Sequence, residues 1–399
     1  MTSTGILRLR SLAARVLGER RGTPVPQAAL PAAALLELAR RGPAPLVEAA
    51  SPAGAPLRIA TVIPSFRLGS GGHATIVRLM RGLRARGHEV SLWLEDCEGR
   101  HANESPTLTE RSFERFFAAG GLPLHTGFGH WQSADVVLAT GWQTVARTML
   151  LPGAHARAYL VQDHEPDFYP ASAEALWAAQ TYRLGLPCIA ASEWLARLLR
   201  ERYGANACHF DLAADHDLYR PGPSEHRRGL VVFYARAVTP RRAVPLGLAA
   251  LGELAARRAD VEIALYGESA SLPVAFAHRN LGVLDDRALA ALYAQASVGM
   301  VLSLTNPSLT GHEMMACGLP CVELASDSML ATFGWDGPLA LSQLDPLELC
   351  AAIERLLDDP AARERASRTG VELMARRSWA AAAEQVERGL QLAVAASAD

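Results

Sequence analysis

The chain has 399 residues, half of them hydrophobic, which exceeds one ordinary domain and points to two with extras. A formal net charge of −2 excludes a global pull toward nucleic acid. All 39 basic residues are Arg, so Schiff-base and P-loop lysine chemistry are excluded, and a phosphate must be held by Arg, backbone N–H groups or a metal.

The N-terminus, MTSTGILRLRSLAARVLGERR, places Ile6, Leu9, Leu12, Ala13, Val16 and Leu17 on one helical face, with Arg8, Arg15, Arg20 and Arg21 largely off it. That pattern predicts a basic amphipathic helix, suited to anionic lipid or to packing on its own protein. It lacks the apolar stretch of a signal peptide, and no apolar run reaches the roughly 18 residues of a membrane span. The expected location is cytoplasmic, with peripheral contact at the inner membrane face through this helix. Residues 22–56 are rich in Ala and Pro and read as a linker with one short helix near 35–40.

Strand-like apolar runs then alternate with helical patterns: strands at 57–63, 88–94, 134–140, 156–162 and 186–192, with helices at 73–86 and 108–119. A polar, turn-rich stretch at 211–229 interrupts the pattern. It restarts with strands at 229–236, 261–267, 280–284, 297–303 and 320–324 and helices at 246–257 and 309–317. Helices at 345–357, 360–375 and 378–394 close the chain. The reading is α/β: an extension over 1–56, a Rossmann-like domain over 57–222, a second over 223–377, and a terminal helix over 378–399. Ligands of such sheets bind at the strands' C-terminal ends. The six cysteines (97, 188, 208, 317, 321 and 350) form no C-x-x-C pair and read as reduced core thiols, and the His spacing gives no structural zinc site.

In RIATVIPSFRLGSGGHATIVRLMRGL, Gly69, Gly71 and Ala74 fit G-x-G-x-x-A, and Glu95 or Asp96 could serve as the ribose-binding acid of an NAD site. In that fingerprint, however, the first Gly follows the strand directly, and here Pro64 to Leu68 intervene. Gly71 and Gly72 still let backbone amides approach a ligand at a helix N-terminus. In the second half, SLTNPSLTGHEMMACGLPCVEL sets Thr305 and Asn306 in a loop and Glu313 near a helix start, where a carboxylate suits ribose hydroxyls. QDHEPDFY places Asp163 and Glu165 after a strand, suited to sugar hydroxyls, to a base for an acceptor, or to capping the next helix. Arg236, with Arg241 and Arg242, lies at and beyond the end of a strand, where guanidiniums can hold a diphosphate.

The segment HEMMACGLPCVEL resembles the E-A-M-A-C-G-x-P-V-V signature of glycosyltransferase family 4, retaining enzymes of the GT-B fold. DLAADHDLYRP is similar to that family's linker, with Asp215 and Tyr219 at matching spacing, and FYARAVTPRRA is similar to its G-R-x-x-x-x-K-G diphosphate motif. SWAAAAEQVERGL is similar to the terminal helix that returns to the N-domain in GT-B proteins; the resemblance runs from about 57 to 394 and implies two doubly wound Rossmann-like domains facing a central cleft. It implies diphosphate contacts from Arg236 and Arg242, with Arg241 the lesser candidate, and base-edge contacts near Gly282, Val283 and Leu284. No metal or cofactor is expected; the nucleotide-sugar is a substrate, and a glycan or lipid-linked molecule the acceptor. VQDHEPDFYP resembles the branch holding bacterial rhamnosyltransferases of surface polysaccharide assembly, which implies dTDP-L-rhamnose as donor. The chain departs from the family in three places: Thr305 stands for the first Glu of E-x7-E, Ala235 for a Gly, and an Arg for the Lys. P-R-R-A against P-R-K-G favours Arg242 for that Lys. The rival readings are a non-catalytic GT-B partner protein, favoured by Thr305, an NAD-dependent oxidoreductase, and a sugar-nucleotide epimerase on the same fold.

Overall fold

The structure is a computed structural model and describes residues 32–48, 54–222, 229–270 and 272–397. The basic segment 1–21, read from sequence as a membrane-touching helix, lies outside the described residues.

The first sheet has seven parallel strands: β1 (Arg58–Pro64), β2 (Glu89–Glu95), β3 (Leu124–Thr126), β4 (Ala134–Ala139), β5 (Ala154–Val161), β6 (Cys188–Ala190) and β7 (Ala207–His209). Their spatial order is β3-β2-β1-β4-β5-β6-β7. β4 and β5 are buried along their whole length, which accounts for apolar runs without alternation. Helices α1 (Ala32–Arg41), α2 (Gly71–Ala85), α3 (Pro106–Phe117), α4 (Trp142–Leu150), α5 (Ala173–Thr181) and α6 (Glu193–Tyr203) belong to this half.

The second sheet has six parallel strands: β8 (Leu230–Tyr234), β9 (Glu262–Tyr266), β10 (Arg279–Asn280), β11 (Val298–Met300), β12 (Cys321–Leu324) and β13 (Leu339–Ser342), in the order β10-β9-β8-β11-β12-β13. Its helices are α7 (Val244–Arg257), α8 (Asp286–Gln295), α9 (Leu309–Ala316), α10 (Asp327–Phe333), α11 (Pro346–Asp358) and α12 (Pro360–Ala375). Both sheets are doubly wound, and their strand order reverses beside β1 and β8, so each opens a crevice at its C-terminal edge.

Two features tie the halves together. The last helix, α13 (Trp379–Ala396), returns to the first domain, where Ala382, Val386, Leu390 and Ala393 share a core with Ile59, Ile76 and Leu160. The part of the expected linker that is described is integral to that domain. Leu38 of α1 packs against the cluster around Val145 and Tyr159. Buried Arg157 donates to the carbonyls of Ala44, Thr148 and Leu151 at 2.9–3.0 Å, joining the extension to the end of α4. The Thr148 and Leu151 carbonyls lie at the C-terminal end of α4, where the helix dipole is negative and favours a guanidinium.

Candidate functional site

β1 ends at Pro64, and the loop to α2 swings across the cleft. Gly69 takes φ +74°, and a Cβ there would lie 3.1 Å from Arg236 Nη1 and 3.7 Å from Val283 Cγ1. The glycine therefore lets the loop close onto the second domain. Ser70 stands at the N-cap of α2 but its hydroxyl contacts His73 Nδ1 at 2.8 Å and does not cap the helix. The first N–H groups of α2, at Gly71 and Gly72, are left for an anion. Buried His73 also reaches Pro64 O at 3.1 Å, and burial holds its pKa down to about 4, so a neutral ring shapes the loop. The acids that an NAD site would need are taken. Arg147 donates to Glu95 at 2.8 Å, and Asp96 binds Ser65 Oγ and the amides of Arg100 and His101.

Opposite this loop, β8 ends at Tyr234 and the next residues carry three guanidiniums. Arg236 is partly buried, and its guanidinium makes no hydrogen bond or ion pair among the described residues; its carbonyl accepts from Thr239 N at 3.1 Å. Arg241 lies with its guanidinium 3.9 Å from the Phe168 ring centre. Its Nε is 3.1 Å from Asp163 Oδ2, an ion pair without the alignment of a hydrogen bond. Burial lowers the Arg241 pKa, and Asp163 opposes that shift. Arg242 Nη1 donates to Ser303 Oγ at 2.6 Å. Ala243 follows at φ +42°, a left-handed conformation that favours glycine. The strand end thus presents positive charge with few internal acceptors.

Glu323 was not read from the sequence as part of the site. It is buried at the end of β12, and its Oε1 accepts from the amides of Ser303 and Leu324 at 2.7 and 2.9 Å. It thereby fixes the residue that holds Arg242. Burial pushes its pKa up to about 7. A Glu inside a strand otherwise reading as core (PCVEL) is the signal that could have found it.

Three sequence expectations require correction. Glu165 does not face the cleft: it is 5% exposed, and its Oε2 accepts from Trp142 N, the first residue of α4, at 2.6 Å. It caps a helix, but the one before it in the chain and not the next one, and burial pushes its pKa up to about 8. Asp163 has no free face for a proton. Oδ1 accepts from the amides of His164 and Asn306, both at 2.9 Å, and Oδ2 meets Arg241. Asn306 is not open to a donor: its side chain bonds Gln162 O, Ala191 O and Ser192 Oγ at 2.7–3.1 Å, all in the first domain.

The other candidates are spread along the cleft. Glu313 lies in the middle of α9, not at its start, 7% exposed between Tyr219, Arg78 and Asp286. Burial drives its pKa up to about 8, with Arg78 pulling the other way. Arg78 of α2 also donates to Asp286 at the start of α8, 3.2 Å across the domain boundary. Thr305 is buried, its hydroxyl has no hydrogen-bond partner among the described residues, and its carbonyl accepts from Ser328 Oγ. Both backbone groups of Gly282 are used, by Asn280 Oδ1 and Gly267 N, which leaves Val283 and Leu284 as the wall of that loop.

Two family models match the chain: WsaF, N-terminal domain, over 130–193, and WsaF, C-terminal domain, over 229–334. A curated relative, the O-antigen biosynthesis protein RfbC of Myxococcus xanthus, is 32% identical over 266 residues, 65% of this chain and 21% of that protein. The chain therefore spans about a fifth of the curated relative that it matches. Among solved structures, sucrose-phosphate synthase from Thermosynechococcus elongatus superposes with TM-score 0.62 at 18% identity, over 85% of this chain and 99% of that one. Anabaena Alr3699/HepE in complex with UDP-glucose gives 0.61 at 14% identity, over 85% and 100%. A glycosyltransferase from Rickettsia africae gives 0.61 at 12% identity, over 85% and 99%. The shared architecture is GT-B, two Rossmann-like domains with a cleft between them.

Proposed function

We propose that this chain is a metal-independent retaining glycosyltransferase of polysaccharide biosynthesis, moving a sugar from a nucleoside diphosphate onto a glycan or lipid-linked acceptor. One observation carries the reading: among the described residues the Arg236 guanidinium has no hydrogen-bond or ion-pair partner, and it lies just beyond the end of β8, on the same loop as Arg242. Charged donors held partly out of water without acceptors suit a polyanion. A diphosphate between Arg236, Arg242 and the amides of Gly71 and Gly72 meets positive charge from both domains. Glu313 takes the ribose hydroxyls. Breaking the bond from the sugar's C1 to oxygen leaves charge on phosphate, and each guanidinium contact stabilises it by about 2–4 kcal/mol. The acceptor oxygen bonds C1 on the same face, and its proton passes to the leaving phosphate oxygen. With Asp163 and Glu165 engaged elsewhere, the phosphate is the base at hand. The donor of choice is dTDP-L-rhamnose, supported by the resemblance of the QDHEP segment.

Calorimetric titration with dTDP, UDP, GDP and NAD tests this reading. One nucleoside diphosphate is expected to bind, weakened about 10- to 100-fold in Arg242→Ala, as for loss of a charged hydrogen bond. Binding of NAD alone returns the glycine loop to the dehydrogenases. Binding of nothing leaves the partner-protein reading, favoured by the unpartnered hydroxyl of Thr305 where the family has Glu.

A further inference from the structure

Asn306 belongs to the second domain, in the loop between β11 and α9, yet all its polar side-chain atoms are spent in the first. Its Nδ2 donates to Gln162 O at 3.1 Å and Ala191 O at 2.7 Å, and its Oδ1 accepts from Ser192 Oγ at 2.7 Å. Its backbone N–H donates to Asp163 Oδ1 at 2.9 Å. The residue is 1% exposed. Its partners lie at the C-terminal ends of β5 and β6, the edge from which acceptor-side loops spring. The same loop is tied to the diphosphate segment, since Leu304 N donates to Arg241 O at 3.0 Å. Behind Asn306 lies a cavity of about 120 Å³ whose lining includes Ser192, Pro307, Asp211 and Arg377, the last two near the chain's crossings between domains. A fully bonded amide thus stands beside free space at the hinge.

We propose that Asn306 is the pivot of the domain pair: a positioning residue that sets the angle at which Arg236 and Arg242 meet the glycine loop, with Asp163 as its receptor. Four hydrogen bonds from one residue fix direction as well as distance, which a single interdomain ion pair does not. The donor site is built mainly on the second domain, so loss of the pivot leaves nucleotide binding and disturbs transfer. The inference rests on the glycosyltransferase reading only for its catalytic consequence; the angular consequence stands by itself.

The test uses the full chain with Asn306→Ala and Asn306→Asp, the latter setting a carboxylate against two carbonyl oxygens. Small-angle scattering is expected to give a larger radius of gyration for both variants. Turnover of the sugar nucleotide is expected to fall about a hundredfold, the effect of a misplacement near 1 Å. The dissociation constants of dTDP and UDP are expected to rise by less than about tenfold, since Arg236, Arg242 and Glu313 keep their places on the second domain and only the Gly71 and Gly72 amides are displaced. Unchanged scattering and turnover would overturn the proposal. So would loss of nucleotide binding, which would make Asn306 a donor ligand. Should Asn306→Asp not fold, Asn306→Ala decides, because it keeps the amide bond to Asp163. If the wild-type chain binds no nucleotide, the enzymatic reading falls while scattering still decides the pivot.

Discussion

Three buried carboxylates, Glu165, Glu313 and Glu323, have pKa values raised to about 8, 8 and 7, burial being the largest cause in each. Between the ordinary carboxylate range and these values, the folded chain holds protons that the unfolded chain has shed. Their stabilising share is complete at acid pH and is lost as pH rises through about 7–8. His73 and His312, held down to about 4 by burial, act oppositely, but only below the ordinary histidine range. The melting temperature is therefore expected to fall from pH 6.5 to 8, and Glu165→Gln to flatten that slope; a flat wild-type profile would contradict it. Ala243 offers a separate check. Its left-handed backbone costs an L-residue about 1–2 kcal/mol, so Ala243→Gly should stabilise the chain in urea melts by up to about that amount. The guanidiniums were legible because their types and their place after a strand suffice to mark them. The engagement of Asp163 was not, because its partner Asn306 lies 143 residues away and a sequence reading sees one side of that contact.

Elements with strong signals were the legible ones. Strands β1, β2, β4 and β8 are runs of five to seven residues, buried on both faces, and their apolar sequence could serve little else. Strands β3 and β7 have three residues each and β13 has four, so edge pairing and burial by distant helices define them. Helices α4, α5 and α6 also escaped the reading. α5 packs over the loop that holds Glu165, and its apolar residues show only weak helical periodicity. The return of α13 to the first domain was implied by the resemblance of its sequence, but its seat on α2 was visible from neither segment. A Cβ on Gly82 would lie 2.5 Å from Ala383 Cβ, so the helices touch at a glycine. Gly82→Val is expected to destabilise by about 1–3 kcal/mol through overpacking, read by denaturant unfolding. A neutral outcome would mean that α13 does not seat there.

At the scale of the molecule, the second sheet is entered after His209 and left after Ala375, and both crossings meet near Arg377. His216 Nε2 lies 2.7 Å from Arg377 O, and Arg377 Nη2 lies 3.6 Å from Asp211. The donor half is thus slung from two adjacent tethers, like a door on one pair of hinges. While the contacts at Arg377 hold, the freest relative motion of the halves is a swing about the line joining the tethers. Each reclosing is an intramolecular event at high effective concentration. A weakened contact across the cleft therefore changes how often and at what angle the halves meet, never whether they stay together.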